Sequence, residues 1–278
     1  MKIDRYVWED RAEHLLALIQ RAQSEDDVAE KLQKRWIGFG CVGLVVTIGG
    51  VIAAISQELW LLAVVPLVAL VLSVLAFIKA NRHGTHDLDD RKLTSARRLI
   101  SVLKADVPAG WPLGLEVDFR SYTDGGVVVE KTGTSSGPRS AKYSHEWLVL
   151  RANLADGSSV VATLADKVSR KEKPKRKRTK IAETFVTKAS VTVRLGKRHG
   201  SAEAVAQRLA GTGPGGTSTV LSIEGRGRVL HAVVAAPVGR KQVNRGSSEY
   251  NMDQLVTGDT LLQTLHWLYG GVAASRAA

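Results

Sequence analysis

The sequence contains one cysteine in 278 residues, Cys41, which lies inside an apolar run. A disulfide needs two cysteines and a thiolate metal site needs several, so a disulfide framework and a cysteine-built metal centre are both excluded. Aromatic residues are also few, at 5% of the chain. A single thiol within an apolar run agrees with a protein of the reducing cytosolic side.

Charge is absent from two long stretches, residues 36–55 and 59–78. Each is about twenty residues long, which as a helix matches the ~30 Å hydrocarbon core of a bilayer. An ionised side chain at mid-bilayer costs about 2.5–3.5 kcal/mol on insertion scales, so the absence predicts lipid surroundings. Only the segment 56–58 separates the two runs. We expect a two-pass transmembrane hairpin over residues 36–79, in the inner (plasma) membrane of a cell.

Basic residues lie on the outer flanks of this hairpin, whereas the short connection contributes only Glu58. Cytoplasmic flanks of membrane spans carry an excess of Lys and Arg. Both termini are therefore expected to be cytoplasmic. The flanking basic residues are Lys31, Lys34, Arg35, Lys79, Arg82, Arg91 and Lys92.

Small residues repeat along the first span at four-residue spacing. Such faces let two helix backbones approach closely, either within one hairpin or between copies in a homo-oligomer. The sequence leaves that choice open. The residues predicted to pack in this way are Gly43, Gly49, Gly50, Ala53 and Ala54.

Two helices are predicted on the cytosolic side of the spans. In the segment 1–35, Tyr6 to Gln23 carries apolar residues at three- and four-residue spacing, typical of an amphipathic helix. Ser24, with an acid three residues later, predicts an N-cap that opens a second helix toward the membrane. In the segment 84–107, Asp87 is expected to cap a helix. We expect the helix of segment 84–107 to pair with the helix from Tyr6 as a juxtamembrane stalk.

From residue 111 to 278 the apolar period changes from about 3.6 to 2, which indicates strands. Asp156-Gly157 between two alternating runs is a strong hairpin signal. We predict a mostly antiparallel α+β domain of about seven strands, open or closed into a small barrel, with two short helices. The last of these helices is expected over residues 260–269.

One segment of this domain, residues 167–180, holds nine basic residues against one acid, a net charge of +8 out of +12 for the whole chain. Lying between two strands, it is predicted to form the tip of a long hairpin. Dense cationic charge attracts anionic lipid headgroups or an acidic protein. Nucleic acid is the weaker candidate, because no aromatic residue is available here to stack on a base. A solvated loop without a ligand is the alternative. The basic residues are Lys167, Arg170, Lys171, Lys173, Lys175, Arg176, Lys177, Arg178 and Lys180.

No catalytic, cofactor or metal motif stands out among the seven histidines and the acids. His145 and Glu146 are neighbours on a strand and point to opposite faces, so they do not form a dyad. We therefore expect a non-enzymatic protein without a cofactor. The first hypothesis is a membrane-anchored interaction module that docks through its polybasic hairpin.

The alternative hypothesis comes from the order of the predicted segments along the chain. Two N-terminal spans followed by a cytosolic β domain resemble bacterial membrane effectors whose β-barrel senses a small ligand. This resemblance implies a ligand-gated effector in which the β domain binds a phosphorylated ligand and the spans oligomerise to disrupt the membrane.

Overall fold

The computed structural model describes residues 5–56, 64–84, 89–134, 137–175, 178–216, 218–236, 239–243 and 259–276. The chain forms two compact units. The first comprises Met1–Ile3 and Gln20–Asp89, and the second comprises Asp4–Ile19 and Asp90–Ala278.

Two helices carry the apolar runs: α1, Ala12–Ser56, and α2, Val64–Gly84. Both contain windows with a mean hydropathy of 2.2 and are long and apolar enough to span a membrane. The predicted N-cap at Ser24 is wrong, because α1 runs through this position without a break. The Ser24 hydroxyl instead donates a hydrogen bond to the Arg21 carbonyl, 2.8 Å away.

Within the first unit, the small residues of α1 let α2 approach closely. A Cβ atom added to Gly40 would lie 2.8 Å from the Phe77 ring, and one added to Gly43 would overlap the Ser73 hydroxyl. Further along, the Lys79 ammonium lies 4.6 Å from the centroid of the Trp36 ring. The pair therefore places a cation and an indole, two groups typical of a membrane interface, at one end of the two apolar runs.

The helix predicted from Tyr6 begins only at Ala12, because Arg5–Asp10 forms strand β1. Side chains in β1 alternate between exposed and half-buried, and the Tyr6 and Trp8 rings stack at 5.1 Å between centroids. Trp8 lies at a position that fits both the two-residue period of a strand and the apolar stripe of a helix. The apolar spacing alone therefore does not distinguish a strand from a helix here. The segment forms a strand because it pairs with a neighbouring strand of the sheet.

The second unit is built around a nine-stranded sheet in which every pairing is antiparallel. The strand order is β1-β2-β4-β5-β6-β8-β7, with β3 beside β4 and β9 beside β6. The remaining strands are β2 Leu113–Asp118, β3 Val127–Gly133, β4 Arg139–Asn153, β5 Ser159–Lys175, β6 Arg178–Arg194, β7 Thr219–Arg226, β8 Val229–Ala235 and β9 Gly239–Val243.

The three central strands, β4, β5 and β6, are two to three times as long as the usual strand of about 5–6 residues. One edge of β4 therefore pairs first with β3 and then with β2, and one edge of β6 pairs first with β9 and then with β8. The sheet ends at β1 and β7 and is not closed, so the barrel that the strand count allowed is not formed. The predicted Asp156-Gly157 hairpin turn is confirmed, with Gly157 at φ +80°.

One face of the sheet is covered by apolar residues of helices. On α3, Asp90–Leu103, the residues Leu93, Leu99 and Ile100 are fully buried. The predicted cap of this helix at Asp87 lies outside the described residues. The other helices of the second unit are the single turn α4, Tyr122–Gly125, then α5, Ala202–Leu209, and α6, Asp259–Arg276.

Candidate functional site

The β5–β6 hairpin carries the basic segment, and strand alternation sorts its charges onto two faces. Along β5, the side chains at even positions from Val160 to Val168 are buried on the face of the sheet that the helices cover. Side chains at odd positions, such as Lys167, point to the opposite side. We call this second side the open face, since its side chains on β5 from position 161 to 173 are exposed or half-buried. Residues paired across antiparallel strands share a face, so the register extends this assignment to β4 and β6.

Four lysines of the basic segment lie on the open face: Lys167, Lys171, Lys173 and Lys180. Lys173 pairs directly with Lys180 across the two strands. The Lys167 ammonium donates a hydrogen bond to the Ser144 hydroxyl at 2.6 Å. No ion pair with another described residue neutralises any of the four. They form a patch that we call the lysine face.

Arg170, a member of the predicted cationic set, lies on the other side of the sheet. Its guanidinium is 2.8 Å from the Glu172 carboxylate and 3.8 Å from that of Glu183. Glu183 is 6% exposed and also accepts a hydrogen bond from the Tyr122 hydroxyl. Burial, together with the bond to Glu183, raises the pKa of Tyr122. Arg170 is therefore committed to a local ion network and does not join the lysine face.

The remaining members of the predicted set are at the turn. Lys175 and Arg178 pair in register at the end of the hairpin. Arg176 and Lys177 lie outside the described residues. The basic segment thus occupies the far end of a long hairpin, since β5 and β6 pair along their whole length up to this point.

Sequence reasoning missed Lys142, which lies on β4 opposite Ser169 and so shares the open face. Its ammonium donates to the Glu130 carboxylate at 2.6 Å, so its charge is neutralised locally. No signal in the sequence places Lys142 here, because only the register between β4 and β5 brings the two strands together.

A buried polar cluster lies about midway along the β5–β6 hairpin, on the covered side. The Arg91 guanidinium of α3 is 2.9 Å from the Asp166 carboxylate, and both side chains are nearly buried. The Thr187 hydroxyl donates to the same carboxylate at 2.5 Å. The Lys92 ammonium donates to the backbone carbonyls of Asp118 and Arg120 at 2.8 and 2.9 Å. These bonds join α3 to β2 and β5, and join β5 to β6.

His145 completes this cluster, with Nε2 3.4 Å from the Asp118 carboxylate. Burial, followed by the nearby Lys92 charge, lowers the pKa of His145 despite that carboxylate. Burial alone would raise the pKa of Asp118, but hydrogen bonds from Arg120 lower it overall. Arg91 is ion-paired with Asp166 and Arg120 with Asp118, as expected of a structural network. Among the described residues no group of three or more His, Cys, Asp or Glu is placed to hold a metal ion.

The five small residues predicted for packing in the first span divide between two environments. Gly43 and Gly50 face α2, with an added Cβ at Gly50 3.3 Å from the Pro66 ring. An added Cβ at Gly49 has nothing within 4 Å. Ala53 is exposed and Ala54 half-buried. Two of the glycines thus serve packing inside the chain, and Gly49 does not.

Comparison with protein-family models, with curated proteins and with solved structures finds no match to this chain. The function therefore has to come from the geometry and charge of the site.

Proposed function

We propose that this protein is a membrane-anchored, non-catalytic docking module whose lysine face binds the anionic headgroups of a lipid bilayer. In this proposal α1 and α2 span the membrane with both termini cytoplasmic. The observation that carries the proposal is that four lysines lie together on the open face of the sheet, without an acidic partner among the described residues.

The magnitude of the attraction is sufficient for reversible docking. Each Lys or Arg near an anionic cytoplasmic leaflet contributes about 1 kcal/mol, so four lysines contribute about 4 kcal/mol. The spans would tether the domain to its target and raise the effective concentration of headgroups, so a modest affinity is enough. Salt would weaken the contact, since the Debye length falls from about 10 Å at 0.1 M to about 3 Å at 1 M.

The chemistry of the lysine face favours a bilayer over nucleic acid or a specific protein. Between its lysines stand small side chains such as Ser169, Ala182 and Thr184. A single-strand nucleic-acid site uses aromatic rings for stacking, and a protein interface relies on aromatic or Arg anchors. Phe185, the aromatic residue of β6, is buried on the covered side. A plane of headgroups needs only point charges, which lysines supply.

The test uses the full chain in proteoliposomes. A variant with Cys41→Ala and Ser169→Cys carries an environment-sensitive fluorophore on the lysine face, and a headgroup-attached quencher reports its distance from the bilayer. We expect strong quenching in phosphatidylserine-containing membranes at low salt, and loss of quenching in neutral membranes or at high salt.

Two variants separate docking from mere proximity. Lys171→Gln combined with Lys173→Gln and Lys180→Gln should abolish the phosphatidylserine-dependent quenching. Lys131→Gln is the matched control, because Lys131 is exposed on the same sheet but pairs with Ala141 on the Arg170 side. Equal quenching in neutral and anionic membranes, or no response to the triple variant, would overturn the proposal.

A further inference from the structure

Three lysines of the lysine face surround one small side chain near the end of the β5–β6 hairpin. Lys173 pairs with Lys180, and two residues further from the turn Lys171 pairs with Ala182. All four side chains are on the open face, and the alanine is exposed. Because an alanine side chain ends at Cβ, position 182 is a shallow depression with a lysine at each of the other three corners. We call this arrangement the lysine cradle.

Among the described residues, no acid on the open face compensates the lysine cradle. Glu172 points to the covered side, where its carboxylate accepts a hydrogen bond from Arg170 at 2.8 Å. Glu130 of β3 is on the open face, but its carboxylate is bonded to Lys142 at 2.6 Å. Three positive charges therefore remain within the area of two neighbouring residue pairs. Such a cluster attracts a dianion more strongly than a monoanion, since the Coulomb energy grows with the charge of the ligand.

The spacing of the lysine cradle suits a single tetrahedral anion. The Cβ atoms of the directly paired Lys173 and Lys180 are about 4.5–5.5 Å apart, and a diagonal neighbour is about 7–8 Å away. Flexible four-carbon stems let the ammonium groups converge on one ligand above Ala182. Ser140 of β4 stands directly opposite Lys171 and brings a hydroxyl to the rim. Ammonium groups donate hydrogen bonds and accept none, so the fitting ligand is rich in acceptors.

We propose that the lysine cradle selects lipid headgroups that end in a phosphate monoester, as in phosphatidic acid, over headgroups whose phosphate is a diester, as in phosphatidylglycerol. This inference rests on the proposed docking of the lysine face and names the headgroup class. A phosphate monoester carries a charge of about −1.5 to −2 at pH 7 and has three terminal oxygens. Lys171, Lys173 and Lys180 donate one hydrogen bond to each of these oxygens. A diester has a single charge and one terminal oxygen fewer, so it leaves part of the cradle uncompensated.

The test uses the full chain in proteoliposomes with the Ser169→Cys fluorophore and the headgroup quencher. Phosphatidic acid and phosphatidylglycerol are compared at pH 8, with their fractions adjusted to give the same zeta potential. We expect the ratio of docked to undocked protein to be about 10-fold higher on phosphatidic acid, as for one additional charge-assisted hydrogen bond.

A pH series assigns the preference to the second charge of the phosphate. The charged groups of the open face at this end are Lys171, Lys173 and Lys180 in the cradle, with Glu130 and Lys142 in the next row. The second pKa of a phosphate monoester is about 6. At pH 5.5 and the same zeta potential, docking on phosphatidic acid should therefore fall to the level on phosphatidylglycerol. The phosphatidylglycerol series reports any pH response of the protein itself.

Three variants locate the selection. Lys180→Gln removes one side of the facing pair and should reduce the preference from about 10-fold to about twofold. Ala182→Leu fills the depression without a change of charge and should have the same effect. Lys167→Gln is the matched control, because it removes one charge of the lysine face outside the cradle. It should weaken docking about fivefold on both lipids and leave the preference at about 10-fold.

The outcomes separate this inference from the proposed function. Equal docking of the unaltered chain on the two lipids would refute the selection while leaving docking by the lysine face intact. No docking on either lipid would overturn both. Loss of the preference in Lys167→Gln to the same extent as in Lys180→Gln would show that the whole face, and not the cradle, reads the headgroup.

Discussion

Lys173 and Lys180 stand directly opposite each other across the β5–β6 hairpin, on the same face of the sheet. The Cβ atoms of such a cross-strand pair are about 4.5–5.5 Å apart, and like charges in this position destabilise a sheet. No described acid lies between them to compensate. The arrangement therefore lowers the stability of the hairpin in water, and an anionic surface would remove the penalty.

This relationship predicts that Lys173→Glu changes stability and docking in opposite directions. A carboxylate opposite Lys180 replaces repulsion by attraction, which should stabilise the hairpin by about 0.5 kcal/mol. The reversal removes two charge units from the lysine face and should weaken docking on phosphatidylserine membranes about 30-fold, at about 1 kcal/mol per charge. Amide hydrogen exchange in β5 and β6 measures the first effect, and fluorescence quenching in proteoliposomes measures the second.

Lys131→Glu supplies the matched control for Lys173→Glu, because it reverses a charge of the same sheet on the other side. It should leave docking unchanged. If both reversals weaken docking equally, net charge and not the lysine face would be responsible.

A second prediction concerns the Arg91–Asp166 pair, which joins α3 to β5 in a buried position. Arg91→Met should destabilise the second unit by about 3–5 kcal/mol, because it leaves the Asp166 carboxylate buried without its cation. Adding Asp166→Asn removes that charge while keeping an acceptor for Thr187, and should recover much of the loss. Thermal unfolding followed by near-UV circular dichroism in a double-mutant cycle measures the coupling. Additive losses would show that the two side chains do not interact.

The third prediction is a loss of stability in mild acid through His145. The charged and polar groups around it are Lys92 of α3, Asp118 of β2 and Asp166 of β5. Because its pKa is lower in the folded than in the unfolded chain, protonation favours unfolding. This contribution is complete above the unfolded value of about 6.5 and is lost as the pH falls below it.

Acid titration of the unfolding temperature measures this effect, with His145→Gln as the comparison. The variant lowers stability overall but should show a flatter profile between about pH 6.5 and 5. A parallel decline in both proteins would assign the acid sensitivity to other groups. Asp118, whose pKa is also lowered, contributes only at lower pH, near the usual aspartate range.

The fourth prediction separates two glycines of α1. Gly43→Leu should disrupt the packing of α1 on α2, because a side chain there collides with Ser73. Gly49→Leu should leave the helix pair intact, since nothing lies within 4 Å of an added Cβ. Thermal unfolding of the two variants in the same detergent gives the comparison, and equal losses would contradict the assignment of Gly43 to the α1–α2 contact.

The Gly49→Leu variant also tests the gated-effector alternative. That hypothesis predicts growth arrest on overexpression, with Gly49→Leu relieving it by blocking contact between copies. Full growth with the unaltered protein would argue against it.

Local patterns predicted much of the second unit. The strands from β2 to β8 and the hairpin turn at Asp156-Gly157 follow from period-2 alternation and turn residues. β1 was predicted as helix and β9 was missed. Both are short edge strands, and each pairs with a strand that is distant in the chain, as Arg5 with Asp118 and Val243 with Ile181. Such pairings leave little trace in a short sequence window.

The two apolar runs, the basic hairpin and its period-2 strands are evident from the amino-acid sequence, because hydropathy, charge and alternation are local properties of the chain. Which charges act together depends on how the strands pair and pack. Arg170 and Lys171 are neighbours in sequence, yet the pleat directs one to a partly buried ion network and the other to the lysine face. In the same way, positions 43 and 49 are both glycine, and the position of α2 alone makes Gly43 a packing contact and leaves Gly49 open.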